Sequence, residues 1–304
     1  MGSKHFVHIS DQTAGRYRQK IMIKIAGIQM EPFLMDKDKN MAKCLELLAT
    51  ASMQEASLII FPEATLTGYM FNSLDEALPI AEPVPGPCVE RMEYSCRELN
   101  VYSVFGMLER GNLGRCYNTS VFVGPDGFIG KYRKLHLPYL GIDRFVNHGD
   151  LPLKVYDTDI GKIGLGICYD LDFPEHARTL TLLGAEVIVT ITNWPEGIEI
   201  VPEHVVPARA RENHVYQIAV NRVGDERGVR FFGRSQVIDC TGTLIAEGQS
   251  YQEDILYAEI APALSREKYQ VMIPGKLEID TIRDRRPEFY GELVKPLIDS
   301  SRIR

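Results

Sequence analysis

What the sequence lacks narrows its function first. It has no block of basic residues, and its formal net charge is -7, with 41 Asp and Glu against 34 Lys and Arg. An acidic chain without a basic patch lacks the electrostatic footprint of a nucleic-acid or anionic-membrane binder. No apolar run approaches the about 18 residues of a membrane span. The six cysteines (44, 88, 96, 116, 168, 240) form no CxxC pair and are too dilute for a disulfide scaffold. The first residues, MGSKHFVHISDQTAGRYRQK, contain no apolar core of a secretory signal, so a cytoplasmic location is expected. The seven histidines show neither HExxH nor clustered ligand spacing, so no metal is expected. GLG (164–166) ends a strand pattern instead of bridging strand to helix as GxGxxG does, so no dinucleotide cofactor is expected either. Fixed-period repeats and low-complexity linkers are also missing.

What is there is an ordinary globular composition, 45% hydrophobic and 25% charged over 304 residues, enough for one large or two small cores. The patterning alternates strand and helix. MIKIAGIQM (22–30), SLIIFPE (57–63), VYSVFGMLE (101–109), YNTSVFVG (117–124) and FIGKYRKLHLP (128–138) read as strands; 38–53 and 85–100 read as helices. A second cycle follows. GKIGLGIC (161–168) and AEVIVTIT (185–192) are strands around a helix opened by Pro174. Pro202 opens another helix, kinked or delayed by Pro207. VYQIAVNRVG (215–224), GRSQVID (233–239), GTLIAEG (242–248) and DILYAEI (254–260) are strands. This order suggests one α/β domain of two sheets covered outside by helices. Residues 21–290 are assigned to it. Residues 1–20 read as an N-terminal extension, a loose arm or a vector-derived leader, and 291–304 as a C-terminal tail suited to an oligomer contact.

Three residues at strand ends carry chemical interest. Glu63 ends LIIFPE, and a carboxylate at the tip of a buried strand is costly unless paired or functional. Lys134 shares a face with Tyr132 and His136, while Lys131, Arg133 and Leu135 take the other. Cys168 ends GKIGLGIC and shares its face with Gly164 and Gly166, which leaves that face open or lets another backbone approach. A helix starting soon after favours its thiolate. Each has an ordinary explanation alone: a salt bridge, a solvated basic strand, a packed thiol. Jointly they place a base, a cation and a nucleophile at the ends of three apolar strands, where open α/β sheets bind ligands.

The segments FPEATLTGY with Glu63, KYRKLHLP with Lys134 and GICYDLDFPEHAR with Cys168 resemble, in order and spacing, the three signature segments of the nitrilase superfamily of carbon–nitrogen hydrolases. The resemblance spans residues 22 to 290. It implies a four-layer α-β-β-α sandwich that pairs into a homodimer or higher homo-oligomer. It also implies Cys168 as nucleophile, Glu63 as general base, Lys134 as oxyanion stabiliser with the backbone N–H of Tyr169, a thioester intermediate and no cofactor. Many members carry a second glutamate after the lysine segment. Here Ile142 aligns with it and Asp143 is the nearest carboxylate, either substituting with a shorter reach or marking a differently built substrate side.

True nitrilases in this family tend to follow the cysteine with Trp-Glu. Tyr169 and Asp170 here resemble an amidase or carbamoylase instead. The expected substrate is a small neutral or cationic amide, with N-carbamoyl compounds and then nitriles as alternatives. Members that take acidic amides often place an arginine where this chain has Asp172. Asp172 therefore either repels anionic substrates or merely caps the helix at Pro174. Asn193 and Trp194, in NWPEG, are candidates to line the pocket; a lone tryptophan is more often a core aromatic. A non-catalytic binding protein on the same fold is the alternative of a different class.

Overall fold

The computed structural model describes residues 22–296; the N-terminal extension 1–20 and tail residues 297–304 lie outside the described residues. In chain order the elements are β1 (Ile23–Gln29), α1 (Lys37–Met53), β2 (Leu58–Ile60), α2 (Leu74–Ala77), α3 (Pro87–Leu99), β3 (Tyr102–Arg110), β4 (Cys116–Gly124) and β5 (Gly127–Arg133). Then come β6 (Val155–Thr158), β7 (Gly161–Ile167), α4 (Pro174–Leu182), β8 (Val187–Thr192), α5 (Val206–Asn213) and β9 (Tyr216–Asn221). The last are β10 (Val223–Glu226), β11 (Val229–Phe232), β12 (Gln236–Ile238), β13 (Leu244–Glu247), β14 (Asp254–Ile260), β15 (Tyr269–Ile273) and β16 (Leu277–Asp280).

Two six-stranded sheets result, ordered β14-β1-β2-β3-β4-β5 and β13-β12-β9-β8-β7-β6. In each, three central strands run parallel: β1-β2-β3 in one, β7-β8-β9 in the other. Strand alternation sorts the side chains into layers. Ile25, Leu58, Ile60 and Val104 of the first sheet meet Ile163, Leu165, Val189 and Ile218 of the second in the central core. Ala26, Ile28, Ile59 and Phe105 point the other way, onto Met41, Cys44, Leu48 and Met92 of α1 and α3. On the far side Ile188 packs with Ala177 and Leu180 of α4. This is an α-β-β-α sandwich. Because the central strands are covered on both faces, they read as unbroken apolar runs.

Several sequence boundaries shift. The expected strand 57–63 is regular only to Ile60, because Pro62 cannot extend the ladder. The helix expected from 202 begins at Val206, after a wide turn at Val201–Val205, so Pro207 falls in the first turn, where its missing N–H costs nothing. The strand expected over 215–224 breaks at Arg222, and β10 leaves the sheet to pair with β11.

Candidate active site

The three strand-end residues converge at one end of the sandwich. The Glu63 loop crosses β3 at Gly106, where a Cβ would lie 2.3 Å from the Ala64 nitrogen and 2.7 Å from the Pro62 carbonyl. Only glycine lets the loop press that close. Lys134 directly follows β5, its N–H donating to the Asn118 carbonyl at 2.9 Å. Cys168 follows β7 with φ +45° and opens a short turn, Cys168–Asp172. Left-handed backbone at a cysteine is strained, and such strain collects at functional sites.

Glu63 and Lys134 are wholly buried and paired, Lys134 Nζ donating to Glu63 Oε1 at 2.7 Å. The same ammonium donates to Asp143 Oδ2 at 2.5 Å. Asn118 Nδ2 bridges the two carboxylates, 2.7 Å from Glu63 Oε1 and 2.9 Å from Asp143 Oδ1. The Tyr69 hydroxyl donates to Asp143 Oδ2 at 2.7 Å. Glu63 Oε2 is buried with no partner among the described residues.

Two carboxylates thus share one ammonium. Burial pushes the Glu63 carboxyl up to about 7; Lys134 opposes the shift and Asp143 adds to it. Burial would lower the Lys134 ammonium, but Asp143, Glu63 and Cys168 together hold it well above its usual value, so it stays charged.

The thiol departs from expectation. Burial and the negative charge of Glu63 push the Cys168 thiol well above its usual value; Lys134 and the Asn193 N–H oppose this and lose. The helix expected to favour a thiolate starts six positions on, at Pro174, too far for its dipole to prevail. Cys168 therefore rests as a thiol and needs a base. Of the two expectations for the glycines, an open face or a close approach, the structure has the close approach. A Cβ at Gly164 would lie 3.1 Å from Leu180 Cδ1 and one at Gly166 2.9 Å from His176 Cε1, so they admit α4 instead of opening the cysteine's face.

A cavity of about 190 Å³ meets Cys168. Tyr69, Tyr169, Asp172, Asn193 and Trp194 are on its wall. Both side-chain polar atoms of Asn193, which is 1% exposed, lack partners among the described residues. Trp194 is as buried and stacks on Phe232, 6.2 Å between centroids, so it is core and wall at once. Asp172 does not cap α4: the cap position is Phe173, with no side-chain cap bond. Its carboxyl lies at the exposed edge of the wall, raised by partial burial against the opposing Arg209 cation, and among the described residues it is the one charged side chain there. Asp143, expected at the substrate, is not on the wall but behind it, holding Lys134.

The sequence alone assigns no role to Asn118 or Tyr69, and marks Asp170 only as a sign of substrate class. Asp170 Oδ2 accepts the Ile167 N–H at 2.9 Å and the Tyr132 hydroxyl at 2.8 Å, and Oδ1 accepts the His136 N–H at 3.3 Å. Tyr132 and His136 flank Lys134, and Ile167 precedes Cys168, so one carboxylate ties the lysine's segment to the cysteine's. An asparagine inside a strand, where that residue is disfavoured, was the available signal for Asn118. No cluster of three metal-ligating side chains occurs among the described residues. No helix of the described residues is long and apolar enough to cross a membrane.

Residues 24–270 match the family model described as carbon-nitrogen hydrolase. A protein from Pyrococcus abyssi named nitrilase is 38% identical over 88% of this chain and 99% of its own length. An (R)-stereoselective amidase from a Pseudomonas species is 33% identical over 89% of this chain and 94% of its own. The crystal structure of a carbon–nitrogen hydrolase from Helicobacter pylori G27 superposes with a TM-score of 0.77 at 26% identity, covering 90% of this chain and 99% of that one.

Proposed function

The chain belongs to the carbon–nitrogen hydrolase family, and on that premise we propose that it is an amidase converting a small neutral or cationic amide to carboxylate and ammonia. The observation that carries this is the buried group beside the thiol: one Glu63 oxygen bound by Lys134 and Asn118, the other unpartnered. A carboxyl near 7 is matched to proton transfer at neutral pH. Glu63 Oε2 takes the thiol proton as Cys168 attacks the amide carbonyl. Lys134 and the Tyr169 N–H hold the oxyanion. Glu63 returns the proton to the departing ammonia, leaving a thioester on Cys168, and then deprotonates the water that hydrolyses it. Tyr169 and Asp170 after the cysteine favour an amide over a nitrile; the relative wild-type rates on matched amides and nitriles decide between them.

Asp172 narrows the substrate. A carboxylate on a wall that is otherwise uncharged among the described residues repels a carboxylate and attracts an ammonium, an effect that the nearby Arg209 cation weakens. The test is a panel of aliphatic amides, ω-amides, N-carbamoyl compounds and nitriles, with ammonia and carboxylate both measured. Wild type is expected to release equal amounts from neutral and cationic amides, and Cys168→Ala none. No turnover of any panel member by wild type, or full turnover by Cys168→Ala, overturns the reading. Asp172→Arg is expected to invert the preference between succinamate-like and neutral amides; an unchanged preference removes Asp172 from it.

A further inference from the structure

The β10–β11 hairpin belongs to neither six-stranded sheet, yet it grips both walls of the cavity. On one side is Glu226, the last residue of β10, 4% exposed. Its Oε2 accepts the N–H of Tyr69 at 2.8 Å and that of Met70 at 2.7 Å. Its Oε1 accepts from the buried Arg222 guanidinium at 2.6 Å. Tyr69 is then held at three points: its N–H by Glu226, its carbonyl by the Ile142 N–H at 2.8 Å, and its hydroxyl by Asp143. Asp143 is also what Lys134 donates to.

On the other side, β11 carries the Asn193–Trp194–Pro195 wall. Pro195 and Phe231 form a bridge, the Phe232 N–H donates to the Trp194 carbonyl at 3.4 Å, and the Glu196 N–H donates to the Arg230 carbonyl at 2.9 Å. Phe231 also meets the Tyr69 ring edge-on at 6.5 Å, while the Arg222 guanidinium lies 4.4 Å over its face.

An ordinary reading makes Arg222 and Glu226 a space-filling buried ion pair, of the kind apolar residues replace without loss. That reading leaves one oxygen unexplained. Oε1 serves the arginine, whereas Oε2 serves two backbone N–H groups of a loop more than 150 positions away, groups that need a partner once buried. Gly68, at φ +76°, lets this loop pass: a Cβ there would meet the Leu34 Cα at 2.7 Å and Glu226 Oε1 at 3.1 Å.

We propose that the β10–β11 hairpin is a bracket that sets the width of the cavity at Cys168, with Glu226 as the positioning residue for Tyr69 and, through Asp143, for Lys134. The bracket works by holding two walls to one rigid element, so a substrate's acyl group is measured between Tyr69 and Trp194.

The test compares two variants with the same charge deletion. Arg222→Gln/Glu226→Gln keeps an acceptor for the two N–H groups; Arg222→Gln/Glu226→Ala does not. The turnover arm uses straight-chain amides from acetamide to hexanamide and rests on the amidase reading. The second arm does not: it follows alkylation of Cys168 by iodoacetamide and by bulkier N-substituted iodoacetamides, read by mass spectrometry. The alanine variant is expected to lose about tenfold in acetamide kcat, because small displacements of catalytic groups are costly. It is also expected to shift long-over-short selectivity by about fivefold toward longer chains in both arms, the scale of one or two methylenes in a pocket. The glutamine variant stays within about twofold of wild type in both. Arg227→Ala, at the exposed hairpin turn, removes a donor to the Met70 carbonyl together with the Glu76 ion pair, and leaves the buried Arg222–Glu226 pair in place. It is expected to shift selectivity the same way by about twofold. Unchanged size selectivity in Arg227→Ala together with equal behaviour of the two double variants overturns the bracket. If the double variants do not fold, Arg227→Ala alone decides. Absence of amide turnover by wild type itself, with the alkylation shift intact, refutes the amidase reading and leaves the bracket standing.

Discussion

Strands β4 and β5, with the residue that follows β5, supply partners to two buried carboxylates, Glu109 on β3 and Glu63 in the loop after β2, and the two clusters are built in opposite senses. At Glu109, two cations serve one carboxylate. Lys131 Nζ and Arg133 Nη2 each lie 2.5 Å from Oε1, and Arg133 Nε is 2.9 Å and Thr119 Oγ1 3.0 Å from Oε2. Burial would raise that carboxyl, but its cations win and hold it below the usual range. At Glu63, two carboxylates share one cation, one oxygen is unpartnered, and burial wins. Both clusters bury charge. What differs is the count of partners. A carboxylate with every lone pair engaged is locked in one protonation state and serves the fold; one left short of partners near neutral pH can pass a proton. Alternation along GKYRK supplies both, Lys131 and Arg133 to one cluster and Lys134 to the other.

The largest expected effect breaks the comparison at Glu63. Glu63→Gln keeps the shape and the Lys134 contact but cannot take a proton. It is expected to lose about 10³-fold in kcat, within the usual range for a general base, with little change in Tm. A residual rate within about tenfold of wild type would remove Glu63 from proton transfer. The mirror substitution, Glu109→Gln, is expected to leave kcat almost untouched and to cost about 2 to 3 kcal/mol of stability. That is below the usual figure for a broken buried pair because Lys131 and Arg133 reach solvent. Since the Glu109 carboxyl is lowered on folding, its contribution is present above the unfolded value of 4.5 and lost as pH falls through the folded value. Urea titrations of wild type and variant should therefore converge in acid and separate toward neutral pH. Parallel curves would show that the cluster is not what stabilises this corner.

How far this contrast was legible in sequence follows from its physics. Alternation put Lys131 and Arg133 on one face and Lys134 on the other, because period two is a local property of extended chain. The apolar runs and their order yielded the two sheets and outer helices. Glu63, Lys134 and Cys168 stood out as polar residues ending buried strands. Their partners did not. Asn118 reaches Glu63 across 55 positions, Tyr69 reaches Asp143 across 74, and Glu226 reaches Tyr69 across 157. No periodicity reports such contacts. The charge state of Cys168 failed for a related reason: local spacing shows the approaching helix, while burial and the Glu63 charge are properties of the assembled site. The break at Arg222, too, has no local signal in VYQIAVNRVG. It is made by the hairpin pairing back to Phe231 and Phe232.

The smallest effect is the most discriminating, because it alters the partner count without removing a catalytic group. Asp143→Asn retains a side chain that can hydrogen-bond Lys134 and Tyr69, but deletes the second negative charge. The wild-type rise of kcat/KM with pH is expected near 7, where Glu63 loses its proton. The Asp143 charge is one of the two influences holding that value up, burial being the larger. Deleting it makes a negative Glu63 easier to form, so the acid limb must move to lower pH. Turnover at its plateau is expected to fall only modestly, by about tenfold or less, since Lys134 keeps its bond to Glu63. A limb that stays in place would show that Glu63 is raised by burial alone. A limb that moves toward alkaline pH would mean that Lys134, freed from Asp143, no longer stays near enough to oppose the shift, making Asp143 a holder of the lysine before it is a source of charge.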